Sequence, residues 1–252
     1  MSDVYQVDHT QAKKVLMLQR NLIAYFYPRK NGHWRRTAEH LSRHWHQFDG
    51  RKVIAVATDQ CCVEHAEVVD SLRAFSTDTE FMLGKNDPNL RETRYFLPAL
   101  EQVIDQPGIT FFCHAKGATH ESPREAPHLW REAMAAACLE YPELVECAFS
   151  SGKHVCGAFM ADGIRDHGWH FSGTWFWFRN ERARSLNWRD VHQTFMGVEG
   201  WPGIFPREEA FCLFYERANA GQLYDRREWD STITPSLECW RRSVEGSLCM
   251  TG

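Results

Sequence analysis

No C-x-x-C pair occurs in the 252 residues of this chain, which removes the usual zinc-ribbon and thioredoxin-like signals. No apolar stretch reaches the ~18 residues a spanning helix needs. The N-terminus, MSDVYQVDHTQAKKVLMLQRN, carries acidic residues early and has no continuous apolar core, so it does not read as a secretory signal. A cytoplasmic location is therefore expected. Basic and acidic residues number 29 and 33, for a net charge of -4, and no global basic field marks a general nucleic-acid or membrane-surface binder. The phosphate loop G-x-x-x-x-G-K-[ST], a G-x-G-x-x-G after the first strand and the G-x-S-x-G elbow are all missing. The two histidines of HAKGATH stand six apart and do not match the helical H-E-x-x-H zinc geometry. Internal repeats and low-complexity linkers are also lacking, so one domain over residues 1–252 is the simplest organisation.

What is present is the composition of an ordinary globular protein, 43% hydrophobic and 25% charged. The nine cysteines are odd in number and scattered through runs such as FFCHA, AACLE and AFCLF, which suits reduced core thiols better than a disulfide framework. The 13 histidines and 10 tryptophans stand out; an indole is more often core than ligand platform, although its flat face and single N–H also suit a cleft.

Apolar runs at NLIAYFY (21–27), KVIAVAT (52–58), TEFML (79–83) and ITFFC (109–113) read as strands. Between them, residues 33–48, 63–75 and 90–103 carry apolar positions at helical spacing, with Pro98 a local irregularity. This alternation predicts an α/β fold with a mostly parallel central sheet and helices on both faces. Downstream, helices are expected at 129–141 and after Pro142, strands at 154–163 and over HFSGTWFWFRN (170–180), and a last apolar helix over AFCLFYERA (210–218).

The stretch ITFFCHAKGATH (109–120) organises the rest. A buried strand in an open α/β sheet delivers chemistry at its carboxyl end, and here that end carries His114, Lys116 and Gly117. Alternate residues leaving a strand point to one side, so both polar heads can meet one ligand. Lysine supplies a compact cation and histidine a group that titrates near neutral pH. The alternative is a half-buried histidine beside a solvated lysine.

The combination of H-x-K-G after a buried strand, a following W-x-x-x-M (Trp130, Met134) and H-x-S-G-x-x-W/F-W (His170, Ser172, Gly173, Trp175, Phe176, Trp177) resembles a group of bacterial glycosyltransferase-like proteins with a GT-A-like domain. The resemblance covers roughly residues 21–216 and is strongest over 114–179. This chain departs from the pattern with Ala115 between His and Lys, and with Thr174-Trp175 where the related proteins tend to have Asn and an aromatic.

The resemblance implies a single GT-A-like domain, with a nucleotide-binding half (1–117) and an acceptor- and sugar-binding half (118–252). It implies a nucleotide-sugar donor and a glycan or small-molecule acceptor as partners, and sugar transfer to an acceptor hydroxyl, with polysaccharide biosynthesis as the expected setting. Folds of that kind usually place Asp-x-Asp where this chain has His114-Ala115-Lys116, so no metal ligand is assigned and a divalent metal is only a possible cofactor. His114 and Lys116 would stabilise the leaving diphosphate. Asp59, Asn86, Asp87, Arg91 and Glu92 would help hold the nucleotide. His170, Ser172, Trp175 and Trp177 would shape the sugar pocket. Glu208 or Glu209, opening the predicted last helix at the positive end of its dipole, would be the general base. The rivals are a non-catalytic nucleotide- or carbohydrate-binding protein of the same fold and a histidine-based metal-dependent hydrolase.

Overall fold

The computed structural model describes residues 18–76, 78–117, 125–164, 167–216 and 220–249. Eight strands form one sheet: β1 (Arg20–Phe26), β2 (Lys52–Thr58), β3 (Glu80–Lys85), β4 (Ile109–His114), β5 (Val155–Ile164), β6 (His167–Phe171), β7 (Phe176–Arg179) and β8 (Ala210–Glu216). Five helices matter for the site: α1 (Trp34–Arg43), α2 (His65–Arg73), α3 (Thr93–Val103), α4 (Glu125–Ala135) and α5 (Pro142–Ser150). The sheet order is β3-β2-β1-β4-β7-β5-β6, with β8 on β5. Strands β1 to β4 are mutually parallel, β7 runs antiparallel to β4, and β5 runs antiparallel to β7 and parallel to β8. The α/β class and the strand-helix rhythm of the first half are as the apolar runs predict.

Those runs are continuous because both faces of the sheet are covered. Along β1, Leu22, Ala24 and Phe26 join one apolar cluster while Ile23 and Tyr25 join the other, and β2 and β4 alternate in the same way. The first cluster takes Trp34 and Leu41 of α1, Val68 and Leu72 of α2, Trp130 and Met134 of α4 and Ala148 of α5. The second takes Phe96, Leu100 and Val103 of α3 together with Trp201 and Phe205. Helices thus flank the sheet on both sides, and the carboxyl ends of β1, β3 and β4 open at one end of it.

Three expectations for the second half are corrected. AFCLFYE is strand β8, not a helix: it pairs with β5 from Val155↔Ala210 to Met160↔Glu216. A short apolar run fits either state by local preference, and here the outer edge of β5 supplies the hydrogen bonds. The aromatic segment 170–180 is not one strand. It breaks into β6 and β7 at a turn where Gly173 and Thr174 have φ of 94° and 62°. The break redirects Phe171: strict alternation groups it with Trp175 and Trp177, but it packs with Phe176 and Phe178 on the opposite face. Helix α4 also starts at Glu125, ahead of the expected 129, and passes at Ala136 into a five-residue π-turn. A C-terminal helix, Thr234–Cys249, completes the chain described.

Candidate functional site

The carboxyl ends of β1 and β4, with the loop after β3, enclose a cleft of about 250 Å³. Tyr25, Tyr27 and Arg29 line it from β1 and its exit; Asn86, Pro88, Arg91 and Glu92 from the segment between β3 and α3; His114 to Gly117 from β4; and Tyr224 from the C-terminal region. This is the crevice where strands of an open α/β sheet present ligand-binding loops. His114 and Lys116 meet there, as expected.

The segment HAKG is held firmly. The backbone N–H of Ala115 extends the ladder to the Tyr25 carbonyl at 3.0 Å, and the N–H of Lys116 turns back to the His114 carbonyl at 2.8 Å. That same carbonyl accepts from Trp175 Nε1 at 3.0 Å. Gly117 then adopts φ 82°, the left-handed region that glycine tolerates without cost. A Cβ at this position would meet only ordinary contacts, the nearest being Pro127 at 3.5 Å. Backbone conformation, and not space, is what calls for glycine.

His114 Nδ1 lies 3.1 Å from Glu92 Oε1. Burial alone would push the Glu92 carboxyl up, but the charge and hydrogen bond of His114, with smaller backbone and Arg91 contributions, outweigh it and hold the group below the ordinary carboxylate range. The other ring nitrogen, His114 Nε2, is buried without a hydrogen-bond partner among the described residues. Leaving such a group unpaired costs about 1–3 kcal/mol. Tyr25 shares the cleft wall, and burial first, then the Glu92 charge, raises its hydroxyl far above the usual range.

Lys116 is 9% exposed. Its Nζ stands 3.6 Å from the centre of the Trp130 ring and 5.6 Å from that of Tyr224. Among the described residues no carboxylate lies within ion-pair distance of it. Its carbonyl accepts from Arg131 Nη1 at 2.9 Å. Arg91, at the rim, has a positive φ of 49° and lays its guanidinium 4.9 Å from the Phe195 ring. The cleft is therefore rich in cations, and among the described residues its one lining carboxylate, Glu92, is engaged by His114.

The remaining predicted residues separate. Asn86 lines the cleft and donates from Nδ2 to Asp59 Oδ2 at 3.2 Å. Asp59 lies beside the cleft, tied to the Tyr27 hydroxyl and the Cys61 N–H; partial burial would raise its carboxyl, and these hydrogen bonds lower it below the ordinary range. Asp87 is spent on its own turn, accepting from the N–H groups of Asn89 at 2.9 Å and Leu90 at 3.3 Å. It does not line the cleft.

Trp175 and Trp177 are each 1% exposed and have no free face for a pyranose ring. Trp177 stacks on Phe111 and donates to the Cys138 carbonyl at 2.9 Å; Trp175 serves the cleft from beneath, through the His114 carbonyl. His170 and Ser172 are also buried, bonded to each other at 3.0 Å. The expected sugar platform is thus core.

Glu208 and Glu209 lie at the other end of the sheet. Ala210 pairs with Val155, Val155 with Phe178, and Phe178 with Thr110. Thr110 is at the start of β4, four residues before His114, or about 13 Å along the strand. Glu209 makes two bonds to Arg182, at 2.8 and 2.7 Å, and this contact first of all holds its carboxyl below the usual range. No helix dipole acts on either residue, because a strand follows them.

Sequence reasoning did not single out Tyr25, Tyr27 and Arg29, although the strand-end rule that found His114 applies equally to β1. Tyr224 and Arg131 carry no local signal. Among the described residues no group of three or more His, Cys, Asp or Glu side chains is arranged to hold a metal ion, and no helix is long and apolar enough to cross a membrane. Compared with protein-family models and with curated proteins, the chain matches none.

Proposed function

We propose that the cleft binds the diphosphate of a nucleotide-activated sugar, and that the protein transfers the sugar to an acceptor hydroxyl. The observation that carries this reading is Lys116: a largely buried ammonium without a carboxylate partner among the described residues, beside the His114–Glu92 pair, at the carboxyl ends of parallel strands. A buried cation without a counter-ion is costly, and a phosphate oxygen supplies one. Arg29 and Arg91 add charge of the same sign to the cleft, so the chain itself neutralises a diphosphate.

In this scheme the acceptor oxygen attacks the anomeric carbon as the bond from that carbon to the diphosphate oxygen breaks. The leaving electron pair stays on the diphosphate, where Lys116 stabilises it. His114 Nε2 takes the acceptor proton, with Glu92 orienting the ring and stabilising its charged form. The base role thus moves from Glu208 and Glu209 to His114, and Asn86, with Asp59 behind it, meets the nucleoside side.

The test incubates the protein with a panel of nucleotide sugars and measures nucleoside diphosphate release, with and without acceptor and chelator. Acceptor-dependent release that persists in chelator is expected, and Lys116→Met should lower kcat/KM about 10- to 100-fold, the worth of one charge-assisted contact. Nucleotide binding without release would favour a binding protein, and chelator-sensitive release without acceptor a metal-dependent hydrolase. Neither binding nor release would end this reading.

A further inference from the structure

Two segments outside α4 converge on one of its side chains, Trp130. The face of its indole lies under Lys116 Nζ, 3.6 Å from the ring centre. Its edge fills the space beside Gly173: a Cβ built there would come within 2.9 Å of Trp130 Nε1 and 2.5 Å of Met134 Sδ. The side chain is 1% exposed, yet Nε1 has no hydrogen-bond partner among the described residues.

Trp130 shares an unpartnered Nε1 with Trp34 and differs in this from the remaining fully buried tryptophans. Trp175, Trp177, Trp201 and Trp229 each donate Nε1 to a carbonyl at 2.9–3.0 Å. A buried indole N–H left unpaired is unfavourable. The orientation of Trp130 is therefore set by its ring face, and what lies on that face is an ammonium, the geometry of a cation–π contact. The next residue, Arg131, holds the opposite end of the lysine through the Lys116 carbonyl at 2.9 Å.

We infer that Trp130 is a positioning residue, which sets the Lys116 ammonium in the cleft at the place where it meets a phosphate; this rests on the nucleotide-diphosphate reading of the cleft. Glycine at 173 belongs to the same device, because only a residue without Cβ lets the turn between β6 and β7 close against the indole edge. Trp130 acts on the ligand through the lysine alone.

The experiment is a double-mutant cycle on the full chain, with inorganic pyrophosphate as the probe and titration calorimetry as the readout. Trp130→Leu should weaken pyrophosphate binding about tenfold and Trp130→Phe about threefold, since phenylalanine keeps a ring with a weaker quadrupole and removes the unpaired N–H. In the Lys116→Met background, neither substitution should lower the residual affinity further, because the lysine through which Trp130 acts is gone. A tryptophan that merely fills the core would weaken both backgrounds by the same factor, and that result overturns the inference, as does unchanged affinity in Trp130→Phe and Trp130→Leu with lysine present. Should Trp130→Leu fail to fold, Trp130→Phe carries the same comparison. Absence of pyrophosphate binding by the unaltered protein removes the nucleotide reading and this inference together. Binding that Lys116→Met weakens, with the tryptophan effects additive, removes this inference alone.

Discussion

Gly173→Ala tests how tightly the turn between β6 and β7 is built against α4. Gly173 has φ 94°, and a Cβ there would lie 2.5 Å from Met134 Sδ and 2.9 Å from Trp130 Nε1. Both of those side chains are fully buried, so neither can swing away. Backbone strain for an L-residue at such φ is about 1–2 kcal/mol, and overpacking a close-packed site costs about 1–3 kcal/mol more. Reduced entropy of the unfolded chain returns about 0.4–1 kcal/mol. The net loss is about 1–5 kcal/mol by summing these contributions, a large share of the 5–15 kcal/mol that typically holds a domain together. Gly152 is the control, because its φ of 85° is similar but nothing lies within 4 Å of an added Cβ. Gly152→Ala should cost only the strain less the entropy, about 0–1.6 kcal/mol. Urea unfolding of the two variants, with midpoints compared at a common slope, measures the difference. Equal losses at the two positions would refute the close approach of turn and helix.

Glu92→Gln should flatten the acid limb of the stability curve. A carboxyl depressed in the folded state adds stability that is present above its unfolded pKa of roughly 4.3 and is lost as pH falls toward its lower folded value; unfolding midpoints between about pH 3 and 6 should fall with acid in the native protein and change less in the variant. If the cleft transfers sugar as proposed, Glu208→Gln and Glu209→Gln should leave turnover unaltered, because the register puts both residues at the far end of β4 from His114; steady-state rates comparable to the unaltered protein are the expected result, and a hundredfold loss would restore their candidacy as base. Trp177→Phe should lower stability by about 1 kcal/mol through the lost hydrogen bond to the Cys138 carbonyl, while leaving pyrophosphate affinity unchanged in the same titration used for Trp130.

The parallel half of the sheet was legible in the residues. KVIAVAT is β2 over the same residues, 52–58, and the runs at 21–27 and 109–113 locate β1 and β4 to within a residue. A strand covered on both faces must be apolar throughout, and that leaves a mark no neighbour can erase. The position of His114 and Lys116 follows from the same logic, since the run ends where the core ends.

The antiparallel half was not legible, for reasons that lie outside the local chain. AFCLFYE has no period to declare it strand or helix, and its state was decided by β5, which offers an edge about 50 residues upstream. The break spans Gly173, a turn residue, and Thr174, a β-branched residue of the type least expected at positive φ, so the local signal is divided. Strict alternation across the unbroken segment puts Phe171 on the face opposite to the one it occupies.

Composition and periodicity determined by themselves that this is an α/β protein with a polar H-x-K-G at a strand end, because burial on both faces writes itself into nearly every residue of the central strands β1, β2 and β4. Tertiary structure alone decided that Glu92 backs His114, that Trp130 underlies Lys116, that Trp175 and Trp177 are core, and that Glu208 and Glu209 are a strand's length away. Those facts depend on register and packing between segments distant in the chain, and no local pattern encodes which ends of which strands will meet.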